Sequence, residues 1–262
     1  MHALLSHWRR DFHRFPETAW CEYRTTSLIA AALANVGYQI KLGDQIVSIS
    51  AVMGRHIDEA FEKSRALAQG ADPVWLDKIS LTGLIAELDT GRPGPCVALR
   101  VDLDAVHLQE SDQANHYPVQ AGFVSQNPGS MHACGHDGHA ALGVVLGLLL
   151  AGKKDQLCGR IKLIFQPAEE GCRGGKALAS GGELDDVDQL YAIHLGIHAD
   201  SGELVVCPDG FLSSTKFDVE FIGRAAHAGL EPNAGANALA AACQAVGQML
   251  AIPRHRDGMT RL

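Results

Sequence analysis

The chain has 262 residues, 47% hydrophobic and 20% charged, which is enough apolar content to bury a core and too much for a disordered segment. Its 30 acidic and 22 basic residues give a net charge of −8, and no basic block, RNA-binding signature or zinc-finger spacing interrupts it, so nucleic acid is not an expected partner. Seven cysteines, odd in number and without a C-x-x-C pair, point to a reduced, cytoplasmic protein rather than a disulfide scaffold. The first residues lack the apolar core of a signal peptide. The longest apolar run, 140–151, is too short to cross a bilayer and reads as a buried helix, so no membrane partner is expected.

In chain order, the pattern predicts a helix over 3–14, with Leu4, Leu5, Trp8 and Phe12 on one face and Arg9, Arg10, Asp11 and His13 elsewhere. Pro16 ends it. A second helix is predicted over 22–36, stopped by Gly37. A short strand over 38–42 follows, then a charged helix over 56–69 and a short one near Trp75, both on the surface. Short apolar runs at 81–88, 97–103, 160–165 and 190–193 then alternate with helical stretches at 139–151 and 174–180. Near-continuous apolar strands between helices predict an α/β fold with a central, mostly parallel sheet covered on both faces. Residues 215–222 alternate strictly, as a half-exposed antiparallel strand does, and an alanine-rich helix is predicted over 237–252. A domain boundary is expected near Ser213.

The stretch 131–139 packs Cys134, His132, His136, His139 and Asp137 around two glycines. Thiolate and imidazole suit zinc or another borderline transition ion, and a carboxylate can orient an imidazole from behind. The bland reading is a polar turn with a stray cysteine. Glu169-Glu170 follows a buried strand. Adjacent carboxylates point different ways, so one can bind a cation while the other serves as general base, unless the pair is only an acidic loop. The strand containing Arg100 and Asp102 leads into Asp104, and another leads into His194. Ligands bind at the carboxyl ends of strands in open parallel sheets, so these groups could converge there. The plainer alternatives are a turn or capping role for Asp102 and a hydrogen-bonded core position for His194. His198 reads as a loop residue, and His227 sits among small residues that permit close approach of another group.

His132-Ala133-Cys134-Gly135-His136-Asp137, Gln166-Pro167-Ala168-Glu169-Glu170-Gly171, Ala192-Ile193-His194 and Gly223-Arg224-Ala225-Ala226-His227-Ala228-Gly229 occur in this order. Together they resemble the M20 metallopeptidase family, and best its amidohydrolase branch. The resemblance implies a zinc-aminopeptidase-like catalytic domain over 1–212 and the start of an α+β lid or dimerisation domain over 213–262. It implies Cys134, His136, Glu170 and His194 as ligands to two divalent ions, zinc or manganese, with cobalt also suited. Glu169 would be the catalytic base, Asp102 the aspartate that orients a ligand, and His227 the lid histidine that stabilises the oxyanion, acting across a dimer interface in some members. Arg100 stands where many members have a liganding histidine, and Asn237 is expected near the substrate carboxylate. The implied reaction is hydrolysis of a small N-acyl or N-aroyl amino acid amide, with p-aminobenzoyl-glutamate favoured. The implied assembly is a dimer through the lid, or a hetero-oligomer with a related second subunit.

Family members run past the lid and return to the catalytic domain with a further ligating histidine. The resemblance therefore implies a chain cut within the lid, with the C-terminal part of the catalytic domain missing. Two rivals remain open. One is an amidase that uses Cys134 as nucleophile with a neighbouring histidine. The other is a truncated, non-catalytic subunit or remnant that binds a partner chain.

Overall fold

The structure is a computed structural model that describes residues 1–196, 199–206 and 218–253. His198, the expected boundary at 213 and the first residues of the expected strand at 215–222 lie outside the described residues. The chain divides into two compact units, Met1–Glu203 and Leu204–Leu262.

In the first unit the helices are α1 (His2–Arg14), α2 (Tyr23–Ala34), α3 (Glu59–Ala68), α4 (Pro73–Leu76), α5 (Tyr117–Gln120), α6 (His136–Ala151) and α7 (Gly174–Ala179). The strands are β1 (Gln39–Leu42), β2 (Leu84–Asp89), β3 (Cys96–Asp102), β4 (Arg160–Gln166) and β5 (Gln189–Ala192). They form one five-stranded sheet in the order β1-β2-β4-β3-β5. β3 runs parallel to β4 and β5, whereas β2 is antiparallel to both β1 and β4. All strands but β2 therefore point the same way, and the sheet is mostly parallel, as expected. The register sets Asp102 beside Gln166 and Arg100 beside both Ile164 and Ala192.

Both faces of the sheet are covered, which is why its central strands read as near-continuous apolar runs. On one face Leu84, Ala86, Val101, Leu163 and Phe165 pack against Phe12 of α1, Ile29 and Leu33 of α2, and Ala140 and Val144 of α6. On the other, Ile85, Ala98 and Ile164 meet Trp20, Ile46, Val47 and the α7 residues Ala177 and Leu178. α6 lies close on the sheet because Gly143 and Gly147 face it. A Cβ at Gly143 would come within 2.6 Å of the Phe165 ring, and one at Gly147 within 2.8 Å of Leu163, both on β4.

Several boundaries have identifiable local causes. α3 starts at Glu59 rather than 56 because Asp58 caps it, accepting from Phe61 N–H. Asp72 caps α4 in the same way, with Pro73 in its first turn. α1 departs from the predicted face: Leu4 is exposed, while His13 is buried. His13 is held there by Asp137 at 2.8 Å and Glu110 at 2.9 Å, both distant in sequence.

The second unit contains α8 (Ala238–Leu250) and an isolated bridge between Arg224 and Ala236. Asn237, expected near a substrate carboxylate, caps α8 by accepting from Ala240 N–H. The alternating segment is not a strand over its described residues 218–222. Alternation only prepares a face, and among the described residues no neighbouring strand supplies the hydrogen-bonded ladder.

Candidate metal centre

The candidate site lies where β3, β4 and β5 end and α6 begins. Each parallel strand delivers a functional segment at its carboxyl end: Asp102 and Asp104 after β3, Glu169 and Glu170 after β4, and His194 after β5. Gly135, at φ 86°, is the left-handed N-cap of α6. The helix thus starts at His136, three residues before the predicted start, and carries His136, Asp137 and His139 in its first turn. Cys134 lies just ahead of that cap.

Three sets of possible ligand atoms gather here, each within 4.8 Å of one another: Cys134, His136 and His194; His136, Glu169 and Glu170; and Asp102, His136 and His139. His136 belongs to all three. Its Nδ1 lies 2.8 Å from the Asp104 carbonyl oxygen, which takes the ring proton in the tautomer this contact favours. Its Nε2 is buried with no hydrogen-bond partner and faces Asp102 at 3.7 Å and Glu169 at 3.9 Å. Cys134 Sγ is 3.4 Å from His194 Nε2, while His194 Nδ1 lies 2.8 Å from the Leu195 carbonyl oxygen.

The electrostatics describe a cluster in which the acidic groups outnumber the fixed positive charge. Burial opposes ionisation of His136, but hydrogen bonding to Asp104 and the charges of Asp102, Asp104 and Glu169 outweigh it and raise the ring to about 9. Burial, then the charge of Glu170 and its neighbours, pushes the Cys134 thiol up to about 11. Glu170 is likewise raised, by burial and then by Asp104 and Glu169. A divalent cation would reverse each of these costs, because it favours a thiolate, a carboxylate and a neutral imidazole together. The orphaned His136 nitrogen and this donor set fit a resident metal.

Groups behind the ligand atoms fix the arrangement. Asp102 is held below the usual carboxylate range: burial works against this, but the His139 hydrogen bond and the charges of His136 and Arg100 prevail. His139 joins Asp102 through Nδ1 and accepts the Leu195 N–H at 2.8 Å through Nε2, tying β3 to the segment that carries His194. Arg100 pairs with Asp102 at 2.9 Å, lies 3.9 Å from Glu169 and donates to Gln166. It thus stands inside the acidic cluster as a fixed cation.

Two residues were underread in the sequence. Asp104 accepts the backbone N–H groups of Glu169 and Glu170, each at 2.9 Å, and so orients both carboxylates. The D-x-D spacing at the end of a strand was its only signal. His132 is buried with neither ring nitrogen hydrogen-bonded, and burial lowers it to about 4, so it is a neutral ring at physiological pH. His227 belongs to the second unit, where its Nδ1 accepts from the N–H groups of Gly229 and Leu230. Among the described residues the cysteines, Cys134 included, are free.

The fold gathers strand ends, a thiol, imidazoles and paired carboxylates into one cluster on an α/β domain, and comparison with known proteins shows its family. Residues 98–260 match the model of peptidase family M20/M25/M40, and the chain belongs to that family. It is 47% identical over 98% of its length to a p-aminobenzoyl-glutamate hydrolase subunit of Escherichia coli (strain K12). It is also 47% identical, over the same share, to the indole-3-acetyl-aspartic acid hydrolase of Enterobacter agglomerans. The chain spans 60% of the length of each of these relatives. A crystal structure of an aminobenzoyl-glutamate utilization protein from Klebsiella pneumoniae superposes with a TM-score of 0.82 at 42% identity, covering 99% of this chain and 60% of that one. A Bacillus subtilis structure described as a dinuclear metal-binding peptidase of the M20 family gives a TM-score of 0.53 at 31% identity, covering 74% of this chain and 43% of that one.

Proposed function

We propose that this chain carries the greater part of the active site of a metal-dependent amidohydrolase that cleaves an N-acyl or N-aroyl amino acid, with p-aminobenzoyl-glutamate the favoured substrate. The observation that carries the reading is the orphaned His136 nitrogen, which faces the Asp102 and Glu169 carboxylates in a cluster that also holds Cys134 and Glu170. The relatives' names supply the substrate class: one acts on p-aminobenzoyl-glutamate and another on an indoleacetyl amino acid.

Cys134, His136, Glu170 and His194 would hold two divalent ions, zinc or manganese, with cobalt also suited by the donors. When bound, the ions would supply Lewis acidity toward the amide carbonyl and toward water. Glu169, which precedes the ligand Glu170 and shares its cluster with His136, takes the proton of the attacking water and delivers it to the departing amine nitrogen. Asp102 fixes the site by holding His139 and Arg100. His227 would help stabilise the oxyanion. A cytoplasmic location, a lid formed by 213–262, dimerisation through it and a related second subunit all belong to this proposal.

The raised Cys134 thiol favours the metal reading over a thiol amidase, since a cysteine nucleophile needs a depressed pKa. The test loads the purified chain with zinc or manganese and follows release of p-aminobenzoate from p-aminobenzoyl-glutamate. Turnover abolished by chelator and by Glu169→Ala, with metal retained in the variant, supports the reading. Metal uptake without turnover of any N-aroyl amino acid favours the non-catalytic, partner-binding alternative.

A further inference from the structure

We propose that Glu22 is a positioning residue for the metal centre: it holds the turn at Ala168 that aims Glu169 and Glu170 into the site. The proposal rests on the metal-site reading above, and its test separates the two.

Ala168 adopts a left-handed conformation, φ 48°, directly before the two glutamates. A residue with a Cβ occupies that region only where its surroundings enforce it, and such strain gathers at functional sites. Here the enforcement is visible on both sides of the residue. The Ala168 carbonyl accepts from Arg173 N–H at 3.2 Å and Gly174 N–H at 2.7 Å. The Ala168 N–H donates to Glu22 Oε1 at 2.8 Å. Glu22 Oε2 accepts the Thr82 hydroxyl at 2.5 Å. Thr82 is followed by Gly83, whose missing side chain makes room for the Pro167 ring, and Gly83 N–H is tied to Thr26 of α2.

Three consecutive N–H groups, those of Ala168, Glu169 and Glu170, thus end on carboxyl oxygens: Glu22 Oε1, Asp104 Oδ1 and Asp104 Oδ2. Asp104 belongs to the cluster itself. Glu22 does not. It comes from the N-cap of α2, 146 residues away in sequence, and is completely buried. Its hydrogen-bond partners, Thr82 and Ala168, are neutral, and among the described residues no cation pairs with it. A carboxyl buried without a cation is poorly chosen if stability were its only role. Burial, with the nearby charge of Asp104, accordingly raises Glu22 well above the ordinary carboxylate range. A glutamine can therefore stand in for it, with its carbonyl accepting from Ala168 and its amide facing Thr82.

The experiment compares wild-type chain, Glu22→Ala and Glu22→Gln by two readouts. Hydrogen exchange in the metal-free protein reads the turn. Glu22→Ala should speed exchange at the Glu169 and Glu170 amides by about tenfold or more and leave the β3 and α6 amides unchanged. Cobalt(II) titration, followed by the thiolate-to-metal absorption band, reads the site. Affinity should fall by about 10–100-fold in Glu22→Ala, as when a group behind a ligand is removed. Glu22→Gln should stay within about threefold of wild type on both readouts. Unchanged exchange at Glu169 and Glu170, or unchanged cobalt affinity in a folded Glu22→Ala protein, overturns the proposal. Should Glu22→Ala not fold, Thr82→Val decides: it removes one of the two donors, and cobalt affinity must then fall several-fold. A wild-type chain that takes up no cobalt refutes the metal-site reading instead, and the exchange comparison alone then decides whether Glu22 holds the turn.

Discussion

Replacing Asp104 with alanine should damage the fold and the site together. The side chain is buried and receives two backbone N–H groups at 2.9 Å, from Glu169 and Glu170. A hydrogen bond to a charged acceptor contributes about 1.5–3 kcal/mol, so losing two gives a ceiling of about 6 kcal/mol. Two effects reduce it. Glu169 and Glu170 are only half-buried, so water can reach the freed N–H groups. Removing one carboxylate also relieves repulsion of Glu170 and of the buried Glu22. A net loss of about 2–4 kcal/mol remains, equivalent to a fall in Tm of roughly 5–15 °C for a domain of this size. Urea unfolding and a thermal scan of the metal-free protein measure it. Metal uptake by the same variant should weaken by at least about tenfold, because both glutamates lose their orientation. A variant within about 0.5 kcal/mol of wild type, the range of ordinary surface substitutions, would refute the assigned role of Asp104.

Three further predictions follow from single contacts. Gly143→Ala gains about 1 kcal/mol of helix propensity but drives a Cβ to within 2.6 Å of Phe165 and 3.0 Å of Val101. Overpacking of about 1–3 kcal/mol should outweigh the gain, and a raised Tm would contradict the close α6–sheet contact. Glu17 is buried, and burial raises its carboxyl to about 7 even though it accepts the Arg24 and Thr25 N–H groups at 2.8 Å. The native state therefore keeps a proton that the unfolded chain releases near 4.5, so stability should fall as pH rises from about 4.5 to about 7, by about 3 kcal/mol. Glu17→Gln should flatten that slope in urea titrations at stepped pH; an unchanged slope would show that Glu17 is not its source. Cys134→Ser should lower metal content, and an unaltered stoichiometry would remove the thiol from the ligand set.

Much of the fold was legible because the central strands, buried on both faces, announce themselves as apolar runs. Their direction was not legible. The run that became β2 reads alike in either sense, and only the register with β1 and β4 reveals that it opposes its neighbours. His13 looked polar because its partners, Asp137 and Glu110, lie about a hundred residues away, and a local pattern holds no record of them. The alternation at 215–222 announced a strand, but over the described residues it has no partner there. In the candidate site, the residue types left plainer readings open, and it was the resemblance of the ordered motifs that selected Cys134, His136, Glu169, Glu170 and His194, residues that the fold brings together. What escaped was the scaffold behind them: Asp104 clamping two amides, His139 joining Asp102 to the Leu195 amide, and Glu22 under Ala168. Each joins segments tens of residues apart or more, and each looks alone like an ordinary acid or histidine.

The most direct test of the metal centre is X-ray absorption at the zinc edge of the zinc-loaded protein. The account predicts mixed sulfur, nitrogen and oxygen coordination, with a sulfur shell near about 2.3 Å that disappears in Cys134→Ser. Oxygen and nitrogen coordination alone, unchanged by that substitution, would contradict it.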